Sequence, residues 1–199
     1  LEQYIAGKGP LSIAETVSIL GPVAEALDFA HELGYVHRDL KLNNVMRSKD
    51  GRCFLTDFGV SKHLSTDLSM MTGIGQSIGT PSYMSPEQAR GEQVTDGKSD
   101  IYSLAVITYR LLTGRLPFVA EDIFELTHKI ICNPPIDPRQ LNPALDRSAA
   151  DALNSALAKD PTQRPDSCQA FIRALQGIED EKSALGKSAL VSRLHGWIN

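Results

Sequence analysis

Cysteine is scarce in this chain, with three in 199 residues. Cys53, Cys132 and Cys168 are odd in number and far apart, so they fit neither a disulfide framework nor a zinc-ligand spacing. They read as small core or surface residues in a reducing compartment. A long hydrophobic run is missing as well. The most nearly apolar stretch, residues 101–112, is interrupted by Ser103, Thr108 and Arg110, too short and too polar to span a bilayer. The first residues, Leu-Glu-Gln-Tyr-Ile, carry no signal-peptide pattern. Charge of one sign is not in excess either. The net charge is −4, which leaves no electrostatic footprint for nucleic acid. Internal repeats and low-complexity segments are also absent. What remains, 42% hydrophobic and 22% charged, suits one globular unit with a sizeable core. The expectation is a soluble, cytoplasmic domain without a membrane segment or a nucleic-acid partner, though segments outside this sequence could tether it to a membrane.

Hydrophobic periodicity predicts an amphipathic helix over 16–33, with Val17, Leu20, Val23, Ala24, Leu27 and Ala30 on one broad face. Pro22 removes one helical hydrogen bond and predicts a kink, and Gly34 ends the helix. Residues 45–47 and 53–55 flank a polar turn with Asp50-Gly51 and read as a hairpin that leads directly into Asp57. Residues 61–81 are rich in Ser, Thr, Gly and Met without periodicity, which predicts a long mobile loop, and a loop of that length is usually functional. The most apolar helix is expected over 99–113, buried on most sides and closed by Gly114 and Pro117. Further helices are expected over 121–131, 148–159 and 167–175. Residues 133–143, with four prolines, should be irregular. Residues 177–199 read as a tail that includes Trp197.

Chemistry is concentrated in three short motifs: His37-Arg38-Asp39-Leu40-Lys41-Leu42-Asn43-Asn44, Asp57-Phe58-Gly59 and Ser85-Pro86-Glu87. Asp39 and Asn44 lie five residues apart, so a short loop can aim a base and a metal ligand at one phosphate. Asp57 adds a second carboxylate from a different strand end. Hard Mg²⁺ takes oxygen ligands, and phosphoryl transfer needs charge placed over a triphosphate more than covalent chemistry by the protein. The plain alternative is a polar hairpin whose carboxylates are solvated.

These motifs, in this order and spacing, resemble those of the eukaryotic-type (Hanks-type) Ser/Thr protein kinases, closest in flavour to bacterial members. The resemblance covers roughly residues 1–176. It implies a mainly α fold, the helical C-terminal lobe of a kinase with a small catalytic-loop hairpin, followed by the 177–199 tail. The implied reaction is transfer of the ATP γ-phosphoryl group to Ser or Thr hydroxyls of protein substrates, with ATP and Mg²⁺ bound. Residue by residue, Asp39 resembles the catalytic base, and Asn44 and Asp57 the Mg²⁺ ligands. Lys41 resembles the lysine that steadies the transferred phosphate. Gly79-Thr80 resembles the substrate-binding loop, with the Thr80 hydroxyl bridging the base and Lys41.

Arg38 reads either as a surface cation or as the receiver of a loop phosphate, for which Thr72 and then Ser77 are the candidates, with Thr66 and Ser69 also in the loop. Glu87 matches a glutamate that pairs with a distant arginine, here Arg164. Asp100 matches an aspartate that hydrogen-bonds the catalytic-loop backbone, a role compatible with capping its own helix. His37 and Phe58 are expected to be stacked core residues rather than ligands. Met46 reads equally as the floor under adenine or as core.

No residue here corresponds to the family's Gly-rich phosphate loop, its strand lysine or the paired helix glutamate. Gly7-Lys8-Gly9 lies after the hinge-like start and is not that loop. The β-rich N-terminal lobe is thus expected to be missing from this sequence, and these residues alone are expected to be inactive. Two rivals stand beside the kinase reading. One is a lobe that binds substrates or partner kinases without turnover. The other is a small-molecule kinase of the aminoglycoside phosphotransferase type, against which the Ser-Pro-Glu motif and the Gly79-Thr80 loop speak.

Overall fold

The first long helix starts three residues earlier than its apolar stripe suggests, because Ser12 caps it. The Ser12 hydroxyl accepts from the Glu15 N–H at 3.1 Å, satisfying a donor that the first turn leaves open. In the computed structural model, which describes residues 1–57, 81–92 and 96–178, a single turn α1 (Glu2–Ile5) precedes this helix, α2 (Ile13–Glu32). Helix α2 continues through Pro22. It stops where Gly34 takes φ +81° and the Tyr35 N–H reaches back to the Ala30 carbonyl at 2.9 Å, a left-handed ending that favours glycine.

Strands β1 (Val45–Arg47) and β2 (Cys53–Leu55) form the expected antiparallel hairpin, with Val45 opposite Leu55 and Met46 opposite Phe54. Gly51 turns the corner at φ +89°. The one-turn helix α3 (Pro86–Ala89) follows, begun by a capping box between Ser85 and Gln88. Helix α4 (Gly97–Thr113) is the axis of the molecule, and residues 99–113 apart from Arg110 are all buried. Its interior hydroxyls are satisfied locally. Thr108 donates to the Leu104 carbonyl at 2.8 Å and Thr113 to that of Tyr109 at 2.7 Å. Gly114 ends the helix in the left-handed region at φ +75°.

Helix α5 (Ile123–Cys132) packs on α3 and the turn at 81–83, α7 (Arg147–Ala156) packs on α4, and α8 (Cys168–Leu175) packs on α2, α4 and α7. Each opens on a side-chain cap, from Asp122, Asp146 and Ser167. The proline-rich segment is not wholly irregular: one turn of helix, α6 (Pro138–Leu141), forms within it. Asp137 caps that turn, and Pro138 sits at the first helical position, where its missing N–H costs nothing. Tyr109 pins the segment by donating to the Ile136 carbonyl at 2.8 Å.

The structure is thus mainly helical with one small hairpin. Cys53 and Cys168 are buried, Cys132 is exposed, and all three are free thiols. No described helix is long and apolar enough to cross a membrane. Phe58, the loop with Thr66, Ser69, Thr72, Ser77 and Thr80, and the tail from 179 with Trp197 lie outside the described residues.

Candidate active site

The loop between α2 and the hairpin holds its shape because one buried carboxylate grips its backbone. Asp100, in the first turn of α4 and 1% exposed, accepts from the His37 N–H at 2.8 Å and from the Arg38 N–H at 2.9 Å. Those bonds help hold Arg38 at φ +65°, a left-handed conformation that a non-glycine residue adopts only when its surroundings over-determine it. Asp100 does not cap α4, because Asp96 does, accepting from the Lys98 N–H at 2.9 Å. The capping alternative for Asp100 is therefore corrected: one residue closes the helix end and another, a turn later, is left to serve the loop.

A third bond to Asp100 comes from His31 in the last turn of α2, whose Nε2 lies 2.8 Å from Oδ2. Gly97 makes room for it, since a Cβ there would stand 2.7 Å from His31 Nδ1. Neither residue belongs to a motif, and nothing in the sequence marks them as partners.

His37 is fully buried. Its Nε2 faces the Thr56 carbonyl at 3.0 Å, so that nitrogen must carry the proton. Nδ1 is then the acceptor facing the Asp39 N–H at 3.3 Å. The ring joins the loop to the hairpin and is not placed to act as a base.

Asp39 is about one-third exposed, and its Oδ2 accepts from Lys41 Nζ at 2.8 Å. Asn44 is 3% exposed. Its amide Nδ2 donates to the Asp39 carbonyl at 3.2 Å, which leaves Oδ1 as the free acceptor of the amide. The Asn44 carbonyl accepts from the Thr56 N–H at 2.9 Å and lies 3.2 Å from the Thr56 hydroxyl. That hydroxyl is also 3.4 Å from the exposed Asp57 carboxylate. Asp57 adopts φ +58°, the second non-glycine residue here in the left-handed region. The loop and the hairpin end are therefore locked together through Thr56, with Asn44 on one side and Asp57 on the other. An amide oxygen and a carboxylate are the hard donors that Mg²⁺ takes, so the two residues fit that ion.

Met46 is 52% exposed and its cross-strand neighbour Phe54 is 47% exposed. The core alternative for Met46 is thereby corrected. It stands on the hairpin as an apolar surface, because β1 buries only its first residue.

Arg38 presents an exposed side chain, while its carbonyl accepts from Gln88 Nε2 at 2.8 Å. That bond ties the loop to α3. Thr80, Thr72 and Ser77 fall outside the described residues.

At the base of α3, Glu87 meets Arg164, 77 residues away. Arg164 NH1 donates to Oε1 at 2.7 Å and NH2 to Oε2 at 2.8 Å, with the two side chains 4% and 0% exposed. Ser99 donates to Oε1 at 2.6 Å. Arg164 also reaches the Ala158 and Lys98 carbonyls, each at 2.9 Å. Burial pushes the Glu87 carboxyl up, but the Arg164 and Ser99 bonds outweigh it and hold it at about 2.

Residues 1–174 match the sequence family described as the protein kinase domain. The serine/threonine-protein kinase pkn3 of Myxococcus xanthus is 37% identical over 194 residues, covering 92% of this chain and 35% of that protein. Pkn1 of the same organism is 41% identical over 173 residues, covering 84% and 24%. The serine/threonine-protein kinase PrkC of Bacillus subtilis is 35% identical over 169 residues, covering 85% and 26%. The chain spans about a quarter to a third of the length of these relatives.

Proposed function

The chain belongs to the protein kinase domain family, in its bacterial Hanks-type Ser/Thr branch, and from that premise we propose that the protein transfers the ATP γ-phosphoryl group to Ser or Thr hydroxyls of protein substrates. The observation that carries this reading is the packing of Asp39, Lys41 and Asn44 into one loop whose backbone is gripped by Asp100. A substrate hydroxyl donates a hydrogen bond to the Asp39 carboxylate, which aims the oxygen at the phosphorus. As the new P–O bond forms and the bond to ADP breaks, the hydroxyl proton passes to Asp39. Lys41, already 2.8 Å from Asp39, places its ammonium beside the moving phosphoryl oxygens. Asn44 and Asp57 would hold Mg²⁺, which would supply positive charge over the phosphates. Exposed Met46 offers the apolar surface on which adenine rests.

The grip of Asp100 on the loop backbone and the Thr56 bond to the Asn44 carbonyl hold this loop before substrate arrives, so little reorganisation is needed at the moment of reaction. In the full-length protein, Asp39→Asn should lower phosphorylation of a protein substrate by about 10²-fold or more while nucleotide affinity stays near that of the parent. Near-normal turnover by Asp39→Asn would overturn the assignment of the base. A large loss of ATP affinity instead would point to a nucleotide-binding role.

A further inference from the structure

Where α2 packs on α8, three side chains of metal-ligating type meet. Asp28 and His31 lie one turn apart on the same face of α2, and Cys168 is the first residue of α8. A carboxylate oxygen, an imidazole nitrogen and the thiol sulfur all lie within 4.8 Å of one another. Cys168 is fully buried, whereas Asp28 and His31 are only partly so, and 17% of the His31 side chain is exposed. The cluster is thus open to solvent on the α2 side.

Its neighbours hold each member yet leave a lone pair over. Asp28 accepts one backbone N–H on each oxygen, from Cys168 at 2.8 Å and from Gln169 at 2.9 Å, and each oxygen carries two lone pairs. His31 shares one ring nitrogen with Asp100 at 2.8 Å, and the other makes no hydrogen bond among the described residues. A carboxylate behind the imidazole is the partner that ligating histidines ordinarily have, and it fixes the ring. Burial, then the Asp28 and Asp100 carboxylates, push the Cys168 thiol well up, so without a cation it keeps its proton. A dication reverses that balance, because a coordinating thiol is deprotonated.

We propose that Asp28, His31 and Cys168 form a site for a zinc-like divalent cation that clamps α2 to α8, separate from the Mg²⁺ ligands Asn44 and Asp57. A mixed sulfur, nitrogen and oxygen set suits a borderline-soft ion, whereas Mg²⁺ and Ca²⁺ take oxygen alone. Tetrahedral bonds of about 2.0 Å to nitrogen and oxygen and about 2.3 Å to sulfur place ligand atoms about 3.5 Å apart. From 4.8 Å, the cluster needs to contract by about 1.3 Å to reach that geometry, a shift that side-chain rotation supplies. Three protein ligands leave a fourth position to water. Because His31 also touches Asp100, an ion held here bears on the carboxylate that grips the catalytic loop.

The test does not depend on phosphoryl transfer. The full-length protein, stripped of metal with a chelator, is titrated with Co²⁺ against excess Mg²⁺, which fills oxygen-only sites. The readout is thiolate-to-cobalt charge-transfer absorption in the near ultraviolet. Co²⁺ should produce that band in the parent, and Zn²⁺ should bleach it. Cys168→Ser should lose the band, whereas Cys132→Ser, at the exposed thiol, should keep it. Because a change at the buried Cys168 puts folding at risk, Asp28→Asn is the second variant, since its amide oxygen still accepts from the α8 backbone. Losing a ligand costs at least as much as losing an outer-shell partner, so its Co²⁺ affinity should fall about tenfold or more. No band in the parent, an undiminished band in folded Cys168→Ser, or a band that Cys132→Ser removes overturns the site. Parent-like affinity in Asp28→Asn overturns it as well.

Discussion

Arg164 and Glu87 are two charged residues that the core accepts only because each satisfies the other. A lone carboxylate or guanidinium at 4% and 0% exposure would be expensive, and the bidentate geometry together with Ser99 and two carbonyls offsets that cost. Arg164→Ala should therefore destabilise the folded protein by about 3–5 kcal/mol in denaturant unfolding, since it strands a buried carboxylate. Arg164→Lys should recover only part of this, because an ammonium cannot form the two parallel bonds. A cost under about 1 kcal/mol, the value for an exposed pair, would refute the buried role.

The pair also has a pH signature. The Glu87 carboxyl is held at about 2, below its ordinary value of 4.5. A depressed folded-state pKa contributes stability above the unfolded value, and that contribution is lost as pH falls through the folded one. The stability difference between the parent and Glu87→Gln should thus be full near neutrality and shrink between about pH 4.5 and pH 2. A difference that stays constant through that window would show that the carboxylate is not held by its partners.

Among the elements, the contact of α2 with α4 decides whether the catalytic loop is held. In most helices a Gly→Ala change gains stability, roughly 0.5–1 kcal/mol. Gly97 should show the opposite sign. Its Cβ would stand 2.7 Å from a histidine ring, and that ring cannot simply swing away without giving up its 2.8 Å contact with Asp100. Gly97→Ala should lower stability by about 1–3 kcal/mol, read as a lower denaturant midpoint. A gain in stability would mean that His31 is free to move and that its contact with Asp100 is incidental.

Most of these elements were legible beforehand. The hairpin followed from Asp50-Gly51 between two short apolar runs, and α4 from its length and composition. Helix α6 was not, because four prolines in eleven residues hid one turn whose single Pro138 sits at the position a helix start tolerates. The start of α2 was missed for a related reason. Apolar periodicity reports the buried face, whereas Ser12 fixes the beginning by a backbone bond that periodicity does not register.

At the scale of the whole molecule, the ends of the described chain are stitched together by α2 and α8. Asp28 accepts from the N–H groups of Cys168 at 2.8 Å and Gln169 at 2.9 Å, capping a helix 140 residues downstream. Asp28→Ala should lower stability by about 1–2 kcal/mol through loss of that cap, seen as a shift of the global denaturant midpoint. If only the signals of α8 moved, the two parts would not unfold as one unit.

The sequence by itself determined the family-like motifs, the helix and hairpin order, and the residue types that chemistry requires, Asp39, Lys41, Asn44 and Asp57. Those depend on local spacing and composition, which a linear string carries in full. Tertiary structure alone decided that Asp96 rather than Asp100 caps α4, that His31 and Gly97 support the carboxylate gripping the loop, that Met46 stands exposed, and that Cys168 meets Asp28 and His31. Each of these turns on which surfaces meet across tens of residues. Close packing and the need to satisfy every buried charge settle that question, and neither is visible until the chain has folded.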